Sequence, residues 1–312
     1  MNQITILGLL FISVFTLSVA AQKSKEVKVK TDNGKLYGTL LTPKSGKDAP
    51  IVIIIPGSGP TDRNGNSMML QSNAYSILAD SLQQKNIGSL RYDKQGIGES
   101  KDARVPEGEL RFEDLVKDVE HWIDFLDRKG FENIYLLGHS QGSLIGMIAA
   151  QRANIKGFIS LAGAGNTIDK ILEKQLAQGA DEYYKDTERI LKSMRSGDTT
   201  HNVPSPLLTV FRPDIQPFLI SWMNYDPVVE IAKLNIPVLV IQGTTDIQVD
   251  QSEGRMLAAS SNSDLQLIKG MNHVLKSAPA DRAKNIQTYY DPNLPLHEGL
   301  VPALLEFLYS EK

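Results

Sequence analysis

Cysteine is absent from the 312-residue chain. Its absence excludes a disulfide framework, a thiolate nucleophile, a cysteine-held metal and a lipidated cysteine. It leaves the redox compartment open, because a chain without thiols is indifferent to it. An excess of charge is missing too: 33 Lys and Arg stand against 36 Asp and Glu, a formal net charge of −3. That leaves no basic footprint for a nucleic acid. No block of like charge marks an interaction tail. No H-E-x-x-H run or other clustered metal-ligand spacing occurs, so neither a metal nor a cofactor is expected. Internal repeats and low-complexity tracts are absent as well. What remains, 41% hydrophobic and 22% charged, is ordinary for a globular chain of one large α/β domain or two average ones.

Long apolar runs are also scarce, with one exception at residues 4–21, "ITILGLLFISVFTLSVAA". It ends in Ser18, Val19, Ala20 and Ala21, and charge begins directly after Gln22. This pattern predicts a secretory signal peptide over residues 1–21 and an exported protein with no stable membrane association after cleavage. The first residues, "MNQ", carry no Lys or Arg, and an uncleaved anchor is the alternative. The run falls short of the ~20 apolar residues a spanning helix needs.

The rest of the chain alternates strand and helix signals. "VKVKTDNGKLYGTLLTP" alternates polar and apolar residues around Asn33-Gly34, which predicts a β-hairpin whose turn exploits positive φ. The apolar runs "PIVIIIPG", "IGSLRYD", "NIYLLGHS", "KGFISLAG", "IPVLVIQGT" and "LQLIKG" predict strands of a sheet covered on both faces. Between them, "SNAYSILADSLQQKN" and "FEDLVKDVEHWIDFLDRKG" read as helices, the second with Leu115, Val119, Trp122 and Leu126 on one stripe. Alternating strand and helix implies a mostly parallel open sheet.

That rhythm lapses over residues 164–235, which are helical, charged and then spaced by proline, with no strand pattern. They predict a helical cap inserted over the C-terminal edge of the sheet, where α/β folds place their sites. The core is then residues 22–163 and 236–312. Within the cap, Phe211, Phe218 and Trp222 are candidates for walls of a substrate pocket, or equally for filling the cap's own core.

Residues 138–142, "GHSQG", sit where a buried strand gives way to the apolar helix "SLIGMIAA". A G-x-S-x-G run there marks a sharp turn that presents a strained serine above the sheet. Ser140 is therefore a candidate nucleophile, and it needs a base. The chain has five histidines. His139 neighbours Ser140 in extended backbone, so its side chain should point away from it. His121 falls inside a helix, His201 inside the cap, and His297 at the entry of the last helix. His273, in the loop after the last strand, is the expected base. Asp246, at the mouth of the preceding strand, is the expected carboxylate partner. Asp250 competes with it but stands directly before a helical pattern, where it has a capping role.

The order Ser140, Asp246, His273 resembles the α/β-hydrolase fold over nearly the whole mature chain. The resemblance implies an oxyanion hole built from the backbone N–H groups of Ser58, in "PGSGPTDRNGN", and of Gln141. Pro56-Gly57 stands where the family commonly has His-Gly, and Gly57 or Gly59 are alternative donors. "RYDKQGIGES" resembles the family's D-x-R-G-x-G-x-S turn with Gln95 in place of Arg, and reads as structural. Overall the chain resembles exported bacterial serine hydrolases related to S33-type aminopeptidases and capped esterases, among which "GSGPTDRNGN" is distinctive. The resemblance implies a cofactor-free serine hydrolase acting on a small acyl ester. A peptidase using the same triad is the alternative, with Asp181, Glu182, Asp186, Glu188, Asp62 and Arg63 as candidates to hold a peptide end. A non-catalytic binding protein is more remote, since all three triad positions are filled.

Overall fold

The computed structural model describes residues 24–310 except 69 and 178–182. The expected signal peptide over residues 1–21 lies outside the described residues. The chain opens with an antiparallel hairpin, β1 (Lys25–Thr31) and β2 (Gly34–Leu41), with Thr31 paired to Gly34. The turn is Asp32-Asn33, and of its neighbours only Gly34 takes a positive φ, 137°. The predicted hairpin is present, but Asn33 does not share the positive φ. Gly34 answers a close approach instead: a Cβ there would lie 2.9 Å from Ala103 Cα.

The six apolar runs form β3 (Ile51–Ile55), β6 (Gly88–Tyr92), β7 (Ile134–His139), β8 (Gly157–Leu161), β9 (Val238–Gly243) and β10 (Ser263–Ile268). β4 (Asn66–Ser67) and β5 (Leu70–Gln71) make a small separate hairpin. The main sheet runs β1-β2-β6-β3-β7-β8-β9-β10. β2 pairs antiparallel to β6, and every pair from β6 to β10 is parallel.

Helices cover both faces. α1 (Ala74–Gln84) and α11 (Leu300–Leu308) lie on one side; α2 (Phe112–Arg128), α3 (Gln141–Ala150) and α9 (Gln251–Ala259) lie on the other. The strands explain this division. In β3, Ile51, Ile53 and Ile55 join the core under α2 and α3, while Val52 and Ile54 join the core under α1 and α11. Two-residue alternation thus splits one apolar run between two cores. α2 begins where the Arg111 N–H donates to Asp114 Oδ2 at 2.9 Å and ends at Arg128, two residues before Gly130, φ 80°. Its stripe of Leu115, Val119, Trp122 and Leu126 is buried against the sheet.

Between β8 and β9 the described residues form only helices and turns. These are α4 (Ile168–Ala177), α5 (Tyr184–Arg195), α6 (Leu208–Phe211), α7 (Gln216–Met223) and α8 (Pro227–Ala232). α10 (Arg282–Gln287) follows β10.

Candidate active site

β7 stops at His139, and α3 starts at Gln141, so Ser140 alone turns the chain through φ 54° and ψ −120°. This is a strained conformation for a residue with a side chain, costing on the order of 1–3 kcal/mol. Its N–H donates to Leu161 O at 2.9 Å, tying the turn to β8. The flanking glycines are required by contact. A Cβ on Gly138 would lie 2.2 Å from Gly142 O, and one on Gly142 would lie 2.3 Å from Ile55 O. The tight crossing of β7, β3 and α3 therefore holds Ser140 above the sheet.

His273 stands in the loop after β10, and its Nδ1 lies 2.8 Å from Asp246 Oδ2. A carboxylate only accepts, so Nδ1 carries a proton, and in the neutral ring the lone pair is on Nε2. Asp246 follows β9 and is almost wholly buried. Burial pushes its pKa up. His273, together with the N–H groups of Val249 and Gln248, outweighs that and holds the carboxyl below its ordinary range. Gln242 also donates to Asp246 Oδ2, at 3.2 Å. Asp250 is placed differently: it caps α9 by accepting from the Ser252 N–H at 2.9 Å.

The other histidines have separate partners. His121 Nδ1 lies 2.7 Å from Lys117 O on α2. His201 is exposed in the helical segment. His297 accepts from the Gly299 N–H at 3.1 Å and pairs with Lys269 O at the entry of α11. His139 does not simply point away. Its Nε2 lies 2.8 Å from the backbone oxygen of His273, and its Nδ1 lies 2.8 Å from Tyr75 Oη. A carbonyl only accepts, so Nε2 carries the proton and Tyr75 donates to Nδ1. Burial, with His273 nearby, pulls the pKa of His139 down to about 3, so the ring stays neutral. Tyr75 Oη in turn accepts from the Gly57 N–H at 3.1 Å. One chain of hydrogen bonds thus joins the loop after β3 to the loop carrying His273.

The turn "RYDKQGIGES" braces the same loop. Arg63 donates through Nε and Nη2 to Asp93 Oδ2, at 2.9 and 2.7 Å, and through its backbone N–H to Oδ1 at 2.8 Å. Lys94 Nζ reaches Gly57 O at 2.7 Å and Gly59 O at 2.5 Å. Burial pulls the Lys94 pKa down to about 7. The two carbonyls oppose that shift by favouring the ammonium. Near the other end of the site, Asn272 Nδ2 donates to Asn285 Oδ1 at 3.1 Å, and Asn285 Nδ2 donates to Thr245 O at 2.8 Å. This pair ties the residue before His273 to the residue before Asp246.

Ser140, Ser58 and Gln141 line one cavity of ≈ 190 Å³. Among the described residues neither the Ser58 nor the Gln141 N–H meets a protein acceptor. Leu219 and Trp222 of α7 and Ile168, Ile171 and Leu172 of α4 wall the cavity. Of the three aromatics anticipated as pocket walls, only Trp222 lines it. Phe211 of α6 and Phe218 of α7 are buried in the core, and Phe218 lies 6.2 Å from Phe112, where α7 packs against the start of α2. A larger cleft of ≈ 570 Å³ opens at residues 234–238 and 262–264. It adjoins the strand starts of β9 and β10, the edge away from Ser140, and holds no nucleophile–base pair.

The residues considered for holding a peptide end are otherwise engaged. Arg63 is clamped to Asp93, and Asp62 Oδ1 accepts from the N–H groups of Asn64 and Asn66. Asp186 pairs with Arg189 at 2.8 Å, and Glu188 accepts from Tyr184 at 3.4 Å. None of the four lines the cavity beside Ser140. Asp181 and Glu182 lie outside the described residues.

This arrangement, a strained serine at a strand-to-helix turn with a histidine–carboxylate pair beyond later strands, defines a class of protein. Residues 50–214, more than half of the chain, match the alpha/beta hydrolase fold, and the chain belongs to that family. It is 25% identical over 276 residues to esterase EstD of Thermotoga maritima, a match spanning 84% of this chain and 64% of EstD. It also resembles the structure of Est1E from Butyrivibrio proteoclasticus with ferulic acid bound. There the TM-score is 0.59 at 20% identity, covering 91% of this chain and 100% of that one. The α/β hydrolase GrgF from Penicillium sp. sh18 superposes with a TM-score of 0.61 at 15% identity, covering 92% and 98%.

Proposed function

We propose that the protein is a carboxylic ester hydrolase in which Ser140, His273 and Asp246 form the triad. Ser140 Oγ attacks the ester carbonyl while His273 Nε2 takes its proton. Asp246 holds the imidazole in the correct tautomer and stabilises its positive charge. The oxyanion is stabilised by the N–H groups of Ser58 and Gln141, each donor worth on the order of 3 kcal/mol. His273 then gives the proton to the departing alcohol, and water releases the acyl group by the same steps. The observation that carries this reading is the shared cavity of Ser140 and two N–H groups without protein acceptors. The esterase EstD and the ferulic acid complex of Est1E agree with it.

The cavity of ≈ 190 Å³ is walled by apolar side chains, among them Leu144, Ile171, Leu219 and Trp222, which suit an acyl group. The helices of residues 164–235 act as its cap. Export completes the reading, supported by the apolar run that ends before Gln22. A secreted product whose first residue is not Gln22 but Met1 argues against cleavage.

A fluorophosphonate probe and a panel of chromogenic esters and aminoacyl amides test the whole. Ser140→Ala should abolish labelling and lower kcat by several orders of magnitude, ~10⁶ at the upper end. Acetyl to hexanoyl esters should turn over faster than decanoyl esters and amides, and Leu219→Ala should move the optimum to longer chains. Labelling that survives in Ser140→Ala refutes the serine assignment.

A further inference from the structure

A buried lysine stands behind the first oxyanion donor. The peptide units of the described residues are all trans. Gly57 O and the Ser58 N–H therefore lie in one rigid plane and point in opposite directions. Lys94, only 8% exposed, places Nζ 2.7 Å from that oxygen and 2.5 Å from Gly59 O, so it grips the carbonyls of the two residues on either side of Ser58. Gly59 O also accepts from the Thr61 N–H at 2.9 Å, and Ser58 O accepts from Thr61 Oγ1 at 3.2 Å. The Gly57 N–H is held by Tyr75. The carbonyls of this loop are thus engaged, while the Ser58 N–H is left to the cavity.

We propose that Lys94 is a positioning residue of the oxyanion hole, fixing and polarising the Gly57–Ser58 peptide so that the Ser58 N–H donates to the developing negative charge. The proposal rests on the ester hydrolase reading above. A charged donor on a carbonyl makes a shorter, stronger hydrogen bond than a neutral one. By drawing electron density toward Gly57 O, it leaves the N–H of the same peptide more positive. Burial keeps water from screening that effect. Charge on the reacting oxygen is greatest in the transition state, so the gain falls on kcat rather than on substrate binding. A lysine needed only to fill space has no reason to bind the carbonyls of both neighbours of the donor residue. Nor would its charge matter, since burying an ammonium is costly.

The test compares wild type, Lys94→Met, Lys94→Gln and Ser140→Ala in the full mature chain with a chromogenic acetyl or butyryl ester. A trifluoromethyl ketone, which forms a tetrahedral oxyanion adduct with the serine, serves as the second probe. Lys94→Met, of similar length and uncharged, should lower kcat by ~10–100-fold, a fraction of the effect of losing an oxyanion donor. KM should stay within about threefold, and ketone affinity should fall by the same factor as kcat/KM. Lys94→Gln, which keeps a neutral donor, should lie between Met and wild type. A kcat within threefold of wild type in Lys94→Met overturns the proposal. So does a fall in kcat with unchanged ketone affinity, and so does loss of folding in both Lys94 variants. Activity remaining in Ser140→Ala instead overturns the serine reading, which separates the two failures.

Discussion

The Nε2 of His139 lies 2.8 Å from the backbone carbonyl oxygen of His273. The residue before the serine thus holds the main chain of the histidine proposed to serve it. Tyr75 extends the link to Gly57. His139→Ala removes the donor from a buried carbonyl, which costs about 1–3 kcal/mol. It should lower both the melting midpoint and kcat, the latter by about tenfold. Tyr75→Phe keeps the ring but strands the Gly57 N–H and His139 Nδ1, and should produce the smaller kcat loss of the two. Thermal melts and steady-state kinetics on both variants check this. Unchanged kcat in His139→Ala would show that the loop holds His273 without it.

Asp246 and Asp250 are four residues apart, and their substitutions should fail in different ways. Asp246→Asn should leave the fold intact while letting His273 take the wrong tautomer, lowering kcat by up to ~10⁴. Asp250→Ala removes the cap of α9 and should cost about 1 kcal/mol of stability with activity largely kept. Measuring kcat and the melting midpoint for each variant separates the roles, and the reverse pattern exchanges them.

Asp118 is buried on α2, and among the described residues its Oδ2 has no hydrogen-bond partner. Burial, with Asp114 nearby, raises its pKa to about 8. The folded chain therefore holds a proton on this group that the unfolded chain releases above pH ~4. Its influence on stability is unpenalised below pH ~4, worsens as pH rises, and levels off above about 8. Asp118→Asn should be near wild-type stability at pH 4 and a few kcal/mol more stable at pH 8. Denaturant melts across that range check the sign. A stability difference that does not change with pH would exclude this titration.

Much of the fold was legible because its strands are short, apolar and separated by helical stripes. The runs at residues 51–55 and 134–139 read as strands buried on both faces, and they are. Ser140 was legible too, since the two glycines answer contacts that a sequence spacing can reveal. The Asp250 cap was visible in the helical pattern that follows it. Phe211, Phe218 and Trp222 stayed undecided, because an aromatic in the helical segment serves a core and a pocket wall equally well in sequence. Only the packing decides between them: Phe211 and Phe218 are buried, whereas Trp222 stacks on Phe112 and also reaches the cavity.

The sequence by itself determined what local periodicity and close contact can encode. That covers the two-core sheet, the strained turn at Ser140, and the helical stretch between β8 and β9. Tertiary structure alone decided which side chains meet across it. His273 reaches Asp246 across 27 positions, Lys94 reaches Gly57 across 37, and His139 reaches His273 across 134. No spacing rule joins such pairs. They come together because parallel strands put their C-terminal ends side by side, whatever the length of chain between them. His139 shows the limit most clearly. Alternation along β7 says that its side chain leaves the face of Ser140, but only the neighbouring loop determines what it touches there.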